Sequence, residues 1–246
     1  MTNSLIKKNV LLIFSIIISY ACSSDNNEIE TETTTGELHK AFEAFDTNNT
    51  DIYLSGNNVV IETNGLPNHT TPYYSSSHAL YVAPTVTSEA QMTPTRIDTS
   101  GRIFDASLTV SQTPSIASSG TSTQLGAIGI AVSGAFLYND QEGNGPLSSA
   151  AGSLDYTGGH IGPSQYHYHL EPRAFSNDDE KLVGIISDGF FIYGRKCNST
   201  GSYPSDLDSS GGHTSTTQHT VSAEYHYHII NDLYSTTGSY VIFAGP

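Results

Sequence analysis

Gln165-Tyr166-His167-Tyr168-His169 returns 59 residues later as Glu224-Tyr225-His226-Tyr227-His228. On a strand, successive side chains point to opposite faces, so the two histidines of each copy share one face and the two tyrosines the other. Imidazoles at i and i+2 stand roughly 6–7 Å apart at Cα, close enough to converge on one ion with metal–nitrogen bonds of about 2.0–2.1 Å. The tyrosine face is expected in the core.

The likeness extends upstream. Leu154-Asp155-x-x-Gly158-Gly159-His160 precedes the first copy and Leu207-Asp208-x-x-Gly211-Gly212-His213 the second, at an offset of 53. Earlier still, Gly129 to Tyr138 aligns with Gly184 to Tyr193 at an offset of 55. Each of these runs is apolar, β-branched and aromatic, broken by Ser133-Gly134 or Asp188-Gly189, which predicts a two-residue hairpin turn. Two copies are too few for a solenoid. The reading is therefore all-β: a single antiparallel sheet-based, sandwich-like domain with little helix, whose halves, 129–169 and 184–228, are related by an approximate two-fold.

The repeat nominates His160, His167, His169, His213, His226 and His228 as metal ligands, gathered in two three-histidine sites or in one shared site. Asp155 and Asp208 are natural acceptors for the far ring N–H of a ligating histidine, and Asp188 joins them as a supporting carboxylate. Imidazole beside carboxylate suits Zn, Cu(II), Fe or Mn.

These phrases resemble the YHYH domain family, named for the tetrapeptide. The resemblance takes in the glycine-broken hairpin, the Leu-Asp-x-x-Gly-Gly-His phrase, Asp188-Gly189-Phe190-Phe191-Ile192-Tyr193-Gly194 and, upstream, Gly65-Leu66-Pro67-Asn68-His69, which adds His69 as a further candidate. It covers about the last two thirds of the chain. It implies a domain but no reaction. Where the family's Leu-Asp phrase often carries a cysteine, this chain has Tyr156-Thr157 and Ser209-Ser210.

Lys7-Lys8, the apolar run from Val10 to Ile18 and Ser19-Tyr20-Ala21-Cys22 have the parts of a lipoprotein signal peptide, 1–21, with Cys22 as the lipidated residue. The polar stretch 22–36 suits a flexible acidic tether, and 37–246 is left for the β domain. Removing 1–21 takes two lysines and no acid, leaving 7 basic and 24 acidic residues, a balance of −17. That surface excludes nucleic acid as a partner. The expected location is the cell envelope, with the membrane as partner through the lipid anchor. Cys197, once Cys22 is lipidated, has no disulfide partner and reads as an incidental free thiol.

Three function classes follow: a tethered metal-binding module, a metal-dependent extracellular hydrolase or oxidoreductase, and a recognition domain for a glycan, small molecule or protein. The enzyme would draw a base from Asp188, Glu224 or a tyrosine. The absence of tryptophan counts against the third class.

Overall fold

A computed structural model describes residues 36–100, 103–143, 145–162, 164–234 and 237–243. The signal peptide, Cys22 and the tether up to residue 35 lie outside the described residues. Strands β1 (Thr50–Ser55), β2 (Asn58–Thr63) and β3 (Ala106–Ser111) form an antiparallel three-stranded sheet. The first repeat supplies β4 (Gly129–Ala131), β5 (Phe136–Leu137), a small ribbon of β6 (Gln141–Glu142) and β7 (Gly145–Pro146), then β8 (Gly159–Ile161) and β9 (Tyr166–Tyr168). The second supplies β10 (Leu182–Ile186), β11 (Phe191–Tyr193), β12 (Gly212–Ser215) and β13 (Glu224–His228), and a ribbon of β14 (Leu233–Tyr234) and β15 (Ser239–Tyr240) follows. Among the described residues helix is confined to short 3-10 turns at Lys40–Ala44, Leu147–Ser149 and Ala151–Ser153.

The two repeats share one eight-stranded sheet in the order β12-β13-β11-β10-β4-β5-β9-β8. Read outward from the centre, both halves have the same order. At the centre β4 and β10 run antiparallel with Ile130 opposite Ile185. Those two residues are counterparts at the offset of 55, so the approximate two-fold passes between them. The all-β expectation holds, but the sheet is mixed rather than purely antiparallel. β5 and β9 are parallel, as are β11 and β13. Parallel neighbours need a crossover, and the chain makes one in each repeat by laying β8 or β12 at the sheet edge before returning inward.

The hairpin turns also differ from expectation. Gly134 N–H donates to Ala131 O, and Ala131 N–H to Ala135 O; Gly189 and Ile186 repeat both bonds with Ile186 O and Phe190 O. Only the glycines take positive φ, 98° and 97°, while Ser133 and Asp188 do not. This is the three-residue loop, a type I turn closed by a left-handed glycine, which spares the preceding residue the strained conformation a two-residue turn demands.

Alternation places Ile130, Val132, Phe136, Ile185, Phe191 and Tyr193 on one face of the large sheet, packed with Val59, Ile61 and Val110 of the small sheet. Ala131, Leu137, Ile192, Tyr166, Tyr168 and Tyr227 share a second core with Tyr73, Tyr74, Ile97 and Ile242. The sheet is thus covered on both faces at its centre. Its outer strands carry the histidines.

Candidate metal centres

The six histidines fall into two triads at opposite ends of the sheet. His160 on β8 faces His167 on the antiparallel β9, and His169 follows two residues on; His213 on β12 faces His226 on β13 in the same register, followed by His228. In the first triad Nε2 of His167 lies 3.1 Å from Nε2 of His160 and 3.0 Å from that of His169. In the second, Nε2 of His226 and His228 are 3.1 Å apart. Metal–nitrogen bonds of about 2.0–2.1 Å set neighbouring ligand atoms roughly 2.9–3.4 Å apart. These three pairs have that spacing.

Each triad gains a fourth donor. Glu142 Oε1 approaches Nε2 of both His160 and His169 at 2.9 Å, and Cys197 Sγ lies 3.5 Å from Nε2 of His213. Each set of four donor atoms lies within 4.8 Å of one another and could hold a metal ion. The six histidines of the triads are at most 9 % exposed, and Cys197 is 1 % exposed.

Proton bookkeeping argues for a cation. His169 and His228 present Nδ1 to the carbonyls of Asn139 and Gly194 at 2.5 and 2.7 Å, and His167 and His226 to those of Gln165 and Glu224 at 3.0 Å. A carbonyl only accepts, so Nδ1 carries the ring proton. His213 Nδ1 faces Asp206 at 2.9 Å. Ser153 spends its hydroxyl proton on Ala150 O and so accepts from His160 Nδ1, 2.7 Å away. In the neutral rings every Nε2 is therefore a lone pair aimed inward. Glu142 Oε1, although enclosed among them, receives no hydrogen bond. Lone pairs packed at 3 Å repel unless a positive ion lies among them.

Burial first, then the neighbouring rings, hold His167 well below the usual histidine range, and burial with the same crowding pushes His228 down to about 4. Neutral imidazole, not imidazolium, is the ligating form. Tyr138 stacks on His167 at 3.8 Å between ring centres, and Tyr193 meets His226 edge-on at 5.1 Å.

Asp155, Asp208 and Asp188 do not support the histidine rings. They belong to the opposite face, because the tyrosines that alternate with the histidines deliver their hydroxyls there. Tyr166 donates to Asp155 at 2.7 Å, Tyr225 to Asp208 at 2.8 Å and Tyr227 to Asp188 at 2.6 Å. Burial, with the adjoining carboxylates, raises these phenols and keeps them as donors. His69 is on that face too, with Nε2 2.6 Å from the Tyr168 hydroxyl, away from the triad. Glu224 lends its carbonyl to His226, while its carboxylate pairs with His39 at 3.0 Å.

Cys197 is a member of the second centre rather than an incidental thiol. Sequence contained the signal: Glu142 and Cys197 are separated by the hairpin offset of 55, four residues beyond the point where the two runs stop looking alike. Asn139 and Gly194 keep that offset, and Ser153 and Asp206 keep the offset of 53. The repeated unit is a four-donor centre with its supporting acceptors.

The described residues thus hold two histidine-rich four-donor clusters that could each take a metal ion, one in each half of an all-β chain. Residues 107–204 match the family described as YHYH protein, which supports reading the chain as a YHYH-domain protein. The match spans the whole first centre and reaches Cys197, ending before the second set of histidines. No curated protein and no solved structure matches the chain.

Proposed function

We propose that the chain is a cell-envelope lipoprotein that binds two transition-metal ions, one at each end of its sheet, with all four ligands of each ion supplied by protein. The observation that carries this reading is the inward aim of six Nε2 lone pairs, each fixed by a hydrogen bond at Nδ1. Four protein donors make a closed site, the kind that holds structure rather than activating water, and the mixture of imidazole, thiolate and carboxylate suits Zn(II) best. The envelope location and the anchor at Cys22 rest on the basic, apolar and small-residue order of the first 22 residues.

Elemental analysis of the purified full chain is expected to find two ions per chain. His167→Ala should remove one and His226→Ala the other. Metal content untouched by both substitutions overturns the reading. Labelled palmitate should enter the wild type and not Cys22→Ser.

A second reading, a metalloenzyme, has one observation in its favour. Cys197 and His213 border a surface depression of about 410 Å³ lined by Ser199, Thr200, Tyr203 and Asp206. A solvent-exchangeable coordination position at the second centre, seen by spectroscopy, would favour it over the closed site.

A further inference from the structure

The tyrosine faces of the two repeats share a frame but not a cover. In the first repeat Asp155 Oδ2 takes the Tyr166 hydroxyl at 2.7 Å and also the Thr71 hydroxyl at 2.5 Å. The Tyr168 hydroxyl meets Ser133 at 2.9 Å and His69 Nε2 at 2.6 Å. Tyr73 sets its ring edge-on to Tyr166 at 6.1 Å. Residues 69–74 thereby bury Asp155 to 4 % and Tyr168 to 0 % exposure.

The second repeat builds the same frame from counterparts. Tyr225 donates to Asp208 and Tyr227 to Asp188, and Asp188 stands at the position of Ser133. Here the frame borders a cleft of about 580 Å³, lined also by the serine- and threonine-rich loop 115–125. Asp188 and Asp208 are exposed, and Asp208 Oδ2 takes Tyr225 at the place where Asp155 Oδ2 takes both a tyrosine and a threonine. Phe190, Tyr225 and Phe243 supply ring surface, and among the described lining residues there is neither Lys nor Arg. The volume falls within the range of about 300–1,000 Å³ usual for small-ligand sites.

The cover of the first repeat shows which chemistry completes the frame: a neutral hydroxyl donating to the aspartate, a neutral polar group at the second tyrosine, and a flat or ring-shaped apolar face against the first. We infer that the cleft of the second repeat binds a neutral carbohydrate, whose hydroxyls donate to Asp208 and Asp188 while a sugar face rests on Tyr225 and Phe190. Carboxylates accepting from sugar hydroxyls give charge-assisted hydrogen bonds, and aromatic faces take the C–H side of the ring. Acidic sugars are repelled by the two carboxylates. This site is independent of the metal centres and lies on the other face of the sheet.

The test is titration calorimetry of the metal-loaded full chain with a panel of neutral oligosaccharides, hexamers of glucose, xylose, mannose and galactose in their common linkages, with spermidine as a cationic comparator. Saturable binding of at least one oligosaccharide is expected, weakened about ten-fold or more by Asp208→Asn and by Asp188→Asn. Metal content and melting temperature report whether each variant is folded, and the exposed Asp188 serves should Asp208→Asn fail. Three results overturn the inference: no oligosaccharide binding at millimolar concentration, binding that both folded variants retain, or binding of spermidine alone.

Discussion

Glu142 and Cys197 occupy the same place in the two repeats, 55 residues apart, and each brings the single non-imidazole donor to a histidine triad. The histidines of the two centres hold matching register positions on β8–β9 and β12–β13, so among the donors themselves the exchange of carboxylate for thiolate is the difference. Thiolate favours softer ions than carboxylate does. The Co(II)-substituted protein is therefore expected to show a sulfur-to-cobalt charge-transfer band that disappears in Cys197→Ser and persists in Glu142→Gln. Persistence of the band in Cys197→Ser would remove Cys197 from the centre.

Much of this was legible in the sequence. The doubled Tyr-His-Tyr-His and Leu-Asp phrases locate all six clustered histidines, and alternation separates them from the tyrosines. Ligands and supporting acceptors that share no residue type with their counterparts were not legible by likeness: glutamate for cysteine among the ligands, serine for aspartate and asparagine for glycine among the acceptors. Structure conserves what they do at Nε2 or Nδ1, not their identity, and Asn139 and Gly194 act through a backbone carbonyl that any residue provides. Asp155 and Asp208 serve the tyrosines rather than the histidines, a distinction that strand alternation does not carry because it gives faces but not which loop reaches each face. The tight Asp-x-x-Gly turn returns each aspartate to the tyrosine side, where its own Gly159 or Gly212 N–H also donates to it.

Removing metal should destabilise the outer strands more than the centre. A ligand that binds only the folded state at 1,000 times its dissociation constant contributes about 4 kcal/mol. For a chain of this size each kcal/mol moves the melting temperature by about 2–4 °C, so one centre alone accounts for roughly 8–16 °C. Calorimetry before and after exhaustive chelation checks the magnitude. Hydrogen exchange checks the place: β8, β9, β12 and β13 should lose protection while the Ile130–Ile185 pair retains it.

Acid should weaken the metal-free fold. His228 titrates near 4 in the folded chain because burial and its neighbouring rings disfavour the imidazolium, whereas an unfolded histidine titrates near its ordinary 6.5. Below that ordinary value the unfolded chain binds the proton first, so stability falls as pH drops from about 6.5 to about 4 and levels off beneath it. The difference corresponds to about 3 kcal/mol at most from this one residue. His167, shifted in the same direction, adds to the loss. Urea denaturation of chelated protein at pH 7 and pH 4.5 measures it, and equal stability at the two values would contradict neutral, buried rings.

Ser153 and Asp206 hold His160 and His213 from the same position with different strength. Asp206 accepts with a full negative charge, held below the ordinary carboxylate range first by its hydrogen bond from His213, whereas the Ser153 hydroxyl is neutral and already spends its proton on Ala150. A charged acceptor makes the ring a stronger donor toward the ion. Asp206→Asn should therefore weaken metal binding at the second centre by about 10–100-fold, within the usual range for such supporting residues, and leave the first centre unchanged. Ser153→Ala should have the smaller effect, confined to the first centre. Competition with a chromophoric chelator resolves the two affinities. An Asp206→Asn protein that keeps both would show that His213 is positioned by the β12–β13 register alone.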